Sequence, residues 1–237
     1  MNLNEFYSEF NLVYNNLASN QAPGLDKYEI SVYLTKSQEA VTDALYAEFE
    51  KSEEARRKLT NLVKTAKLKP ISVPSNEIIY PEYTITYDLN HDINGTAISV
   101  RYIINEQLKM NMKADICIRG KHIDIKPCTH DEIDSYIKNP FRFNNRRALR
   151  LDTSLRNNIT PQYIEILVKG KPEDYSNIDY YQIRYIENPA PIILEDMTGT
   201  DDYINGIQTQ SEASLPSITH RQIVEIAAKM AYQDYKN

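Results

Sequence analysis

The sequence predicts an α+β protein with an N-terminal helical hairpin and a charged helix, a central mainly antiparallel sheet or small sandwich, and a C-terminal helix. Apolar residues recur at helical spacing up to about residue 66 and again after residue 219. Between residues 83 and 194 they alternate with polar residues, as in half-buried strands. We therefore divide the chain into a helical region (1–69), a β region with a short helix near 130–138 (70–195), and a loop followed by the last helix (196–237).

Residues 19–26 separate two amphipathic helices. Pro23-Gly24 cannot continue a helix, and Asp26 is placed to cap the second one. We expect the two apolar stripes to fold onto one another. They consist of Leu3, Phe6, Phe10, Val13 and Leu17 in the first helix, and of Ile30, Tyr33, Leu34, Val41, Ala44 and Leu45 in the second.

A third, charged helix is predicted from residue 52 to about residue 66. Ser52 can cap it, and the pairs Glu53–Arg57 and Glu54–Lys58 have the four-residue spacing that supports a helix.

The β region contains four clear apolar rows at a period of two, which predict strands. They are Tyr83/Ile85/Tyr87, Ile98/Val100/Tyr102/Ile104, Ile164/Ile166/Val168 and Tyr181/Ile183/Tyr185. A further hairpin is predicted over residues 113–127, with Gly120-Lys121 as its loop. In that register Ile118 faces Ile123, and Asp115 faces Lys126.

Two helix starts resemble capping boxes, Thr129 with Glu132 and Thr219 with Gln222, the latter with an Ile218–Ile223 staple. The helix after Thr219 is apolar over a wider arc than one packing face needs. We expect it to be either deeply buried or shared with a neighbouring subunit. The candidate interface residues are Ile223, Val224, Ala227, Met230 and Ala231.

Composition excludes several classes of protein. The net charge is −6 and the pI is near 5.3, which argues against a general nucleic-acid coat. No apolar run approaches the roughly 18 residues of a membrane span, and the first residues lack the pattern of an export signal. Cys117 and Cys128 are expected to be free thiols, and two thiols alone cannot build a closed zinc site. We predict no cofactor.

Asp115, Asp124 and Lys126 are the sharpest enzymatic candidate. A carboxylate on one strand followed by Asp-x-Lys on the next is how many metal-dependent nucleases hold Mg²⁺ and an activated water. The same three residues are also explained as the polar face of a hairpin with a cross-strand ion pair. We therefore assign no catalytic or metal-binding residue and expect a protein that is not an enzyme.

The stretch 139–152 is basic in an otherwise acidic chain. Its arginines and phenylalanines suit contact with phosphates, bases or an acidic protein surface, and the alternative is a solvated loop leading into a strand. The candidate partner or DNA contacts are Phe141, Arg142, Phe143, Arg146, Arg147 and Arg150.

Several short segments, taken in order, carry a family resemblance over nearly the whole chain. They are residues 10–16, 20–25, 33–39, 49–53, 139–142 with 150–152, 183–185 with 191–194, and 215–216 with His220, Ile223 and Val224. Together they resemble the head–tail connector proteins (neck ring or adaptor) of crAss-like and related podovirus-type phages of gut Bacteroides.

The resemblance implies a virion structural protein, present in many copies, in a ring that joins the portal to the tail and surrounds the DNA path. It implies a homo-oligomer that follows the portal symmetry, portal and other neck or tail proteins as partners, non-specific contact with packaged DNA, and no membrane. Its expected location is the virion neck or tail, and the host cytoplasm during assembly. The alternatives are the nuclease above and a non-virion binding module.

Overall fold

A computed structural model describes residues 1–18, 23–72, 78, 80–110, 121–144, 147–152, 163–169, 178–199 and 201–236. The chain forms two compact units, one made of residues 1–63 and 188–237 and the other of residues 64–187. We call them the helical unit and the β unit. The predicted functional division at residues 69/70 and 195/196 stays a prediction.

The helical unit contains four α-helices: α1 (Leu3–Leu17), α2 (Lys27–Ala47), α3 (Glu53–Leu59) and the C-terminal helix, which we number α5 in chain order (His220–Lys236). Reciprocal capping boxes start α1 and α2. Asp26 Oδ1 accepts from the Glu29 N–H at 2.7 Å, and Glu29 Oε2 accepts from the Asp26 N–H at 3.0 Å. The predicted cap at Asp26 is therefore confirmed.

The apolar stripes of α1 and α2 pack mainly against α5, and contacts between α1 and α2 themselves are sparse. The expectation that the two stripes fold chiefly onto one another is therefore wrong. The physical reason is that the buried face of α5, which includes Ile223, Val224 and Ala227, offers both helices an apolar surface to pack against.

The third helix is shorter than predicted. It ends at Leu59, a 3₁₀ turn covers Thr60–Leu62, and strand β1 starts at Val63. Alternating burial of Ala66 and Leu68 shows that this segment pairs in the sheet instead of extending the helix. Both predicted i,i+4 ion pairs are present, with Lys58–Glu54 at 2.6 Å and Arg57–Glu53 at 3.9 Å.

The β unit is a closed seven-stranded barrel, not a sandwich. Its strands are β1 (Val63–Ile71), β2 (Thr84–Asp92), β3 (Val100–Met110), β4 (Lys121–Cys128), β5 (Arg147–Asp152), β6 (Tyr163–Leu167) and β7 (Ile178–Glu187), and their order around the barrel is β1-β2-β6-β5-β4-β3-β7. Among the described residues, strand β4 pairs with β5 in parallel, and the pairs β1–β2, β2–β6, β3–β4, β3–β7 and β5–β6 are antiparallel. The parallel pair is connected through the short helix α4 (Ile133–Ile137), which confirms a helix within the predicted range of 130–138.

Two apolar clusters line the two faces of the barrel wall. The inner cluster includes the predicted rows Ile164/Ile166/Val168 and Tyr181/Ile183/Tyr185. The outer cluster joins Leu149, Leu151 and Leu167 to α4 and to Phe143. Because both faces of β5 and β6 are covered, their residues are buried almost continuously instead of alternately.

The predicted row Ile98/Val100/Tyr102/Ile104 is only partly correct. Ile98 and Val100 contact the inner cluster, but Ile103 follows them there in place of Tyr102 and Ile104. The pairing of β3 with β7 shifts register between Val100 and Tyr102 and again between Ile103 and Asn105, and each irregularity exchanges the inward and outward positions.

The hairpin predicted over 113–127 requires correction in its described half. Lys121 is a strand residue and not a loop residue, and the antiparallel partner of Ile123 is Leu108. Residues 111–120, which include Ile118 and Asp115, lie outside the described residues.

Neither helix start follows the predicted motif. Helix α4 begins at Ile133 with Glu132 as N-cap and no side-chain cap, so the Thr129–Glu132 box is wrong. Before α5, a 3₁₀ turn (Ser217–Thr219) replaces a loop, and the Thr219 hydroxyl donates to the Pro216 carbonyl at 2.8 Å. Ile218 is 65% exposed, so it does not form the predicted staple. Among the described helices, none combines the length and hydropathy needed to cross a bilayer.

Candidate functional site

The basic turn, by which we mean residues 138–144 with Arg147, is held in shape by its own hydrogen bonds. The Asn139 side chain accepts from the Phe141 N–H at 3.0 Å. The Asn139 carbonyl accepts from the N–H groups of Arg142 and Phe143, both at 3.0 Å. The Asn144 amide donates to the Phe141 carbonyl at 3.2 Å. The turn is therefore preorganised, and little conformational entropy remains to be lost when it binds a partner.

Phe141 and Arg142 are the exposed part of this turn. Phe141 is 86% exposed, so its ring makes little packing contact within its own protomer. The Arg142 guanidinium lies 5.2 Å from the centre of the Tyr136 ring, and Lys126 Nζ lies 4.7 Å from the same centre. Arg147 is also exposed, and Arg146 lies outside the described residues.

Two residues of the predicted contact set are buried and are removed from it. Phe143 is 2% exposed and meets Tyr83 edge-on, with ring centres 5.8 Å apart. Arg150 is 8% exposed. The reason is the alternation along β5: Leu149 and Leu151 join the outer cluster, so Ala148 and Arg150 point into the barrel.

Arg150 belongs to a buried charged network. Its Nη1 lies 2.6 Å from Glu106 Oε1, and the Tyr181 hydroxyl donates to the other oxygen of Glu106 at 2.8 Å. Both charged side chains are at least nine-tenths buried, so the ion pair helps to offset the loss of hydration of each.

The residues of the nuclease alternative are only partly described. Asp115 lies outside the described residues, and Asp124 is exposed on β4. Lys126 donates a hydrogen bond from Nζ to the Tyr136 hydroxyl. Within the described ranges, no group of three His, Cys, Asp or Glu side chains is arranged to hold a metal ion.

The candidate interface on α5 is mostly covered within the helical unit. Ile223, Val224 and Ala227 are fully buried, Ala231 is 3% exposed, and Met230 is half-buried. Helices α1 and α2 supply the covering surface. The wide apolar arc therefore serves the protomer's own core, and the four buried residues are withdrawn as subunit contacts.

Sequence reasoning missed a polar row on α2. Gln38 Nε2 donates to the Ala190 carbonyl at 2.7 Å, and its Oε1 accepts from the Ser214 N–H at 2.9 Å. Thr35 accepts from the Ile192 N–H at 3.1 Å, and Ser31 accepts from the Leu194 N–H at 3.0 Å. The spacing 31, 35, 38 on one helical face is the signal that could have revealed this row.

His220 is buried at the start of α5. Its Nε2 donates to the Leu215 carbonyl at 2.9 Å, and Nδ1 accepts from the Met1 amino group at 2.9 Å, which requires the neutral ring. Burial is the main cause that lowers the pKa of His220 from its usual 6.5.

The second surface of interest is an open groove of about 310 Å³ in the helical unit, which we call the acidic groove. It is lined by Asp26, Lys27, Tyr28, Ser31, Glu195, Asp196, Met197 and Asp202. Lys27 is the single basic side chain in this lining, and Glu195 binds it at 2.8 Å. That hydrogen bond raises the pKa of Lys27.

Comparison with known proteins identifies the family. A model of the phage tail ring protein 3/4 family matches residues 1–237. The chain belongs to this family. Ring protein 4/5 of Bacteroides phage crAss001 is 29% identical over 248 residues, which cover 100% of this chain and 94% of the relative. Ring protein 3 of the same phage is 29% identical over 236 residues, covering 96% and 93%. The resemblance to crAss-like phage neck and tail ring proteins is thus confirmed.

Proposed function

We propose that this protein is a structural component of a crAss-like phage particle and assembles into a homo-oligomeric ring of the head-to-tail connector. The observation that carries the proposal is the match of the ring-protein family to all 237 residues. The two crAss001 relatives, both named ring proteins, support it because the similarity covers nearly the whole of each chain.

In this proposal the ring docks on the portal or on an adjacent neck ring, follows the portal symmetry and surrounds the DNA path. The protein is made in the host cytoplasm and then incorporated into the virion. An overall charge of −6 suits a channel wall, because a strongly basic ring would hold the passing duplex by counterion release and slow its passage. DNA contact is accordingly non-specific.

The experiment is mass spectrometry of purified particles followed by a cryo-EM reconstruction of the neck. We expect the protein in mature particles at a copy number equal to the symmetry of one neck ring, or a multiple of it. Absence from purified particles while the protein is abundant in infected cells would overturn the proposal and favour a non-virion binding module. Density for a single copy, outside any ring, would also overturn it.

A further inference from the structure

We propose that the basic turn of one protomer docks into the acidic groove of the next copy, so that neighbouring subunits are joined head to tail. This inference rests on the proposed ring and names the contact that closes it. Phe141 is the anchor and Arg142 the charged flank on one side, and the groove beside Glu195 and Asp202 is the receiving surface on the other.

The two units differ in charge in the sense that the contact requires. The helical unit carries 9 Lys and Arg against 17 Asp and Glu, whereas the β unit carries 18 against 16. The helical unit of one copy and the β unit of the next copy therefore attract each other, whereas the helical units of two copies repel each other. The attraction favours a contact between unlike surfaces.

Ring geometry makes the same demand. A cyclic ring of more than two identical subunits uses heterologous contacts, so each protomer must carry two different surfaces that complement each other. The basic turn and the acidic groove are such a pair: one is a projecting aromatic residue with basic flanks, and the other is concave and acidic.

The basic turn has the properties of an interface anchor. Its backbone is fixed by the hydrogen bonds of Asn139 and Asn144, so an 86% exposed Phe141 ring is presented in a defined position. Arg142 is oriented by the Tyr136 ring. Preorganised aromatic and arginine side chains dominate binding energy at protein interfaces because they desolvate much area at low entropic cost.

The groove offers matching chemistry. Tyr28, which is 36% exposed, provides an aromatic face for the Phe141 ring. Glu195 and Asp202 place carboxylates beside them for the Arg142 guanidinium, which prefers carboxylate oxygens in bidentate geometry. Lys27 is already bound by Glu195, so its charge is partly compensated before a second copy arrives.

Two double variants separate the two surfaces. The turn variant is Phe141→Ser with Arg142→Ser, and the groove variant is Glu195→Lys with Asp202→Lys. The control is Ile218→Ser with Arg221→Ser, which removes an exposed apolar side chain and an exposed arginine elsewhere. Urea unfolding tests whether the wild type, the two variants and the control are equally stable, and we expect that they are.

Mass photometry and sedimentation of the full-length proteins give the assembly states. We expect rings for the wild type and the control, and monomers for both variants, with self-association weakened by about 100-fold or more, as expected for loss of an anchor residue. An equimolar mixture of the two variants should give a 1:1 dimer and nothing larger. Each partner then retains one intact half of the contact, so only one junction can form.

The remaining outcomes overturn the inference. Rings formed by either variant alone show that another surface joins the subunits and leave the ring proposal intact. A wild type that stays monomeric up to about 100 μM also refutes the contact, because the contact uses this chain alone. Duplex DNA binding that is lost only in the turn variant, with assembly unchanged, assigns the turn to nucleic acid. The proposed function itself falls if the protein is missing from particles, or if the reconstruction shows a single copy outside any ring.

Discussion

The buried position of Arg150 gives the sharpest test of the β unit. The sequence makes Arg150 a candidate partner or DNA contact, whereas the structure places it inside the barrel against Glu106. Replacing Arg150 with Met keeps much of the apolar stem of the side chain but removes the guanidinium that lies against the Glu106 carboxylate. If Arg150 formed a surface contact, the substitution would weaken partner binding. Because Arg150 belongs to a buried ion pair, we expect the substitution to lower the stability of the protein instead.

The size of the effect follows from the geometry. The two charged groups lie 2.6 Å apart and expose only 10% and 8% of their side chains. Removing one partner of such a pair costs about 3–5 kcal/mol, because the remaining charge stays buried without compensation. The Tyr181 hydroxyl, at 2.8 Å from Glu106, continues to solvate the carboxylate, so we expect about 3 kcal/mol for Arg150→Met. That corresponds to a fall of roughly 6–12 °C in Tm, at 2–4 °C per kcal/mol for a chain of this size.

Urea unfolding followed by circular dichroism measures the loss, and tyrosine fluorescence provides a second probe because the chain has no tryptophan. Arg147→Met is the matched control, since Arg147 lies on the same strand but is exposed, and we expect it to change stability by less than about 0.5 kcal/mol. The double variant Arg150→Met with Glu106→Leu removes both charges, and we expect it to be more stable than Arg150→Met alone. If Arg150→Met and Arg147→Met unfold alike, the buried-pair argument is refuted.

Three further predictions concern other buried polar groups. Gln38→Ala should lower the free energy of unfolding in urea by about 3 kcal/mol, because the Ala190 carbonyl and the Ser214 N–H both lose their hydrogen-bond partner. Lys36→Ala, on the exposed side of α2, is the control and should be nearly neutral. Equal effects of the two substitutions would contradict the prediction. The pKa of His220 is lowered in the folded state, so the unfolded chain binds more protons, and the free energy of unfolding should fall as the pH drops below about 6.5. His220→Gln should flatten this pH dependence. An unchanged slope would contradict the role assigned to His220. Burial raises the pKa of Glu165, whose Oε2 has no hydrogen-bond partner among the described atoms, so ionisation of this carboxyl opposes folding above its usual pKa. Glu165→Gln should therefore raise the free energy of unfolding by about 1 kcal/mol at pH 7, and by less at pH 4.5. A loss of stability at pH 7 would show instead that the carboxylate is solvated.

Local features were predictable where a single element decides them. The cap at Asp26 depends on four consecutive residues, and the rows Ile164/Ile166/Val168 and Tyr181/Ile183/Tyr185 depend on the period within one strand. These predictions hold because the energies that fix them, one cap bond or one buried face, are local.

Features that depend on partners distant in sequence were not predictable. Closure of the barrel brings β2 next to β6 and β1 next to β7, although these strands are far apart along the chain. In β5 the pattern Arg-Ala-Leu-Arg-Leu-Asp has one face of leucines and another that contains Ala148 and Arg150. The leucine face looks like the core face, but α4 covers it from outside, which leaves Arg150 in the barrel interior. Likewise, the wide apolar arc of α5 suggested a subunit contact until two helices of the same protomer were found to cover it.

Several of the segments that carry the family resemblance lie in the helical unit and contribute to its buried interior. Residues 33–39 contain Thr35 and Gln38, which bind the backbone of Ile192 and Ala190, and Ser37 donates to the Ile223 carbonyl at 2.6 Å. These contacts are buried within the helical unit and stabilise its fold. This chain is 29% identical both to ring protein 3 and to ring protein 4/5 of crAss001, so chain-wide similarity does not distinguish one ring from another.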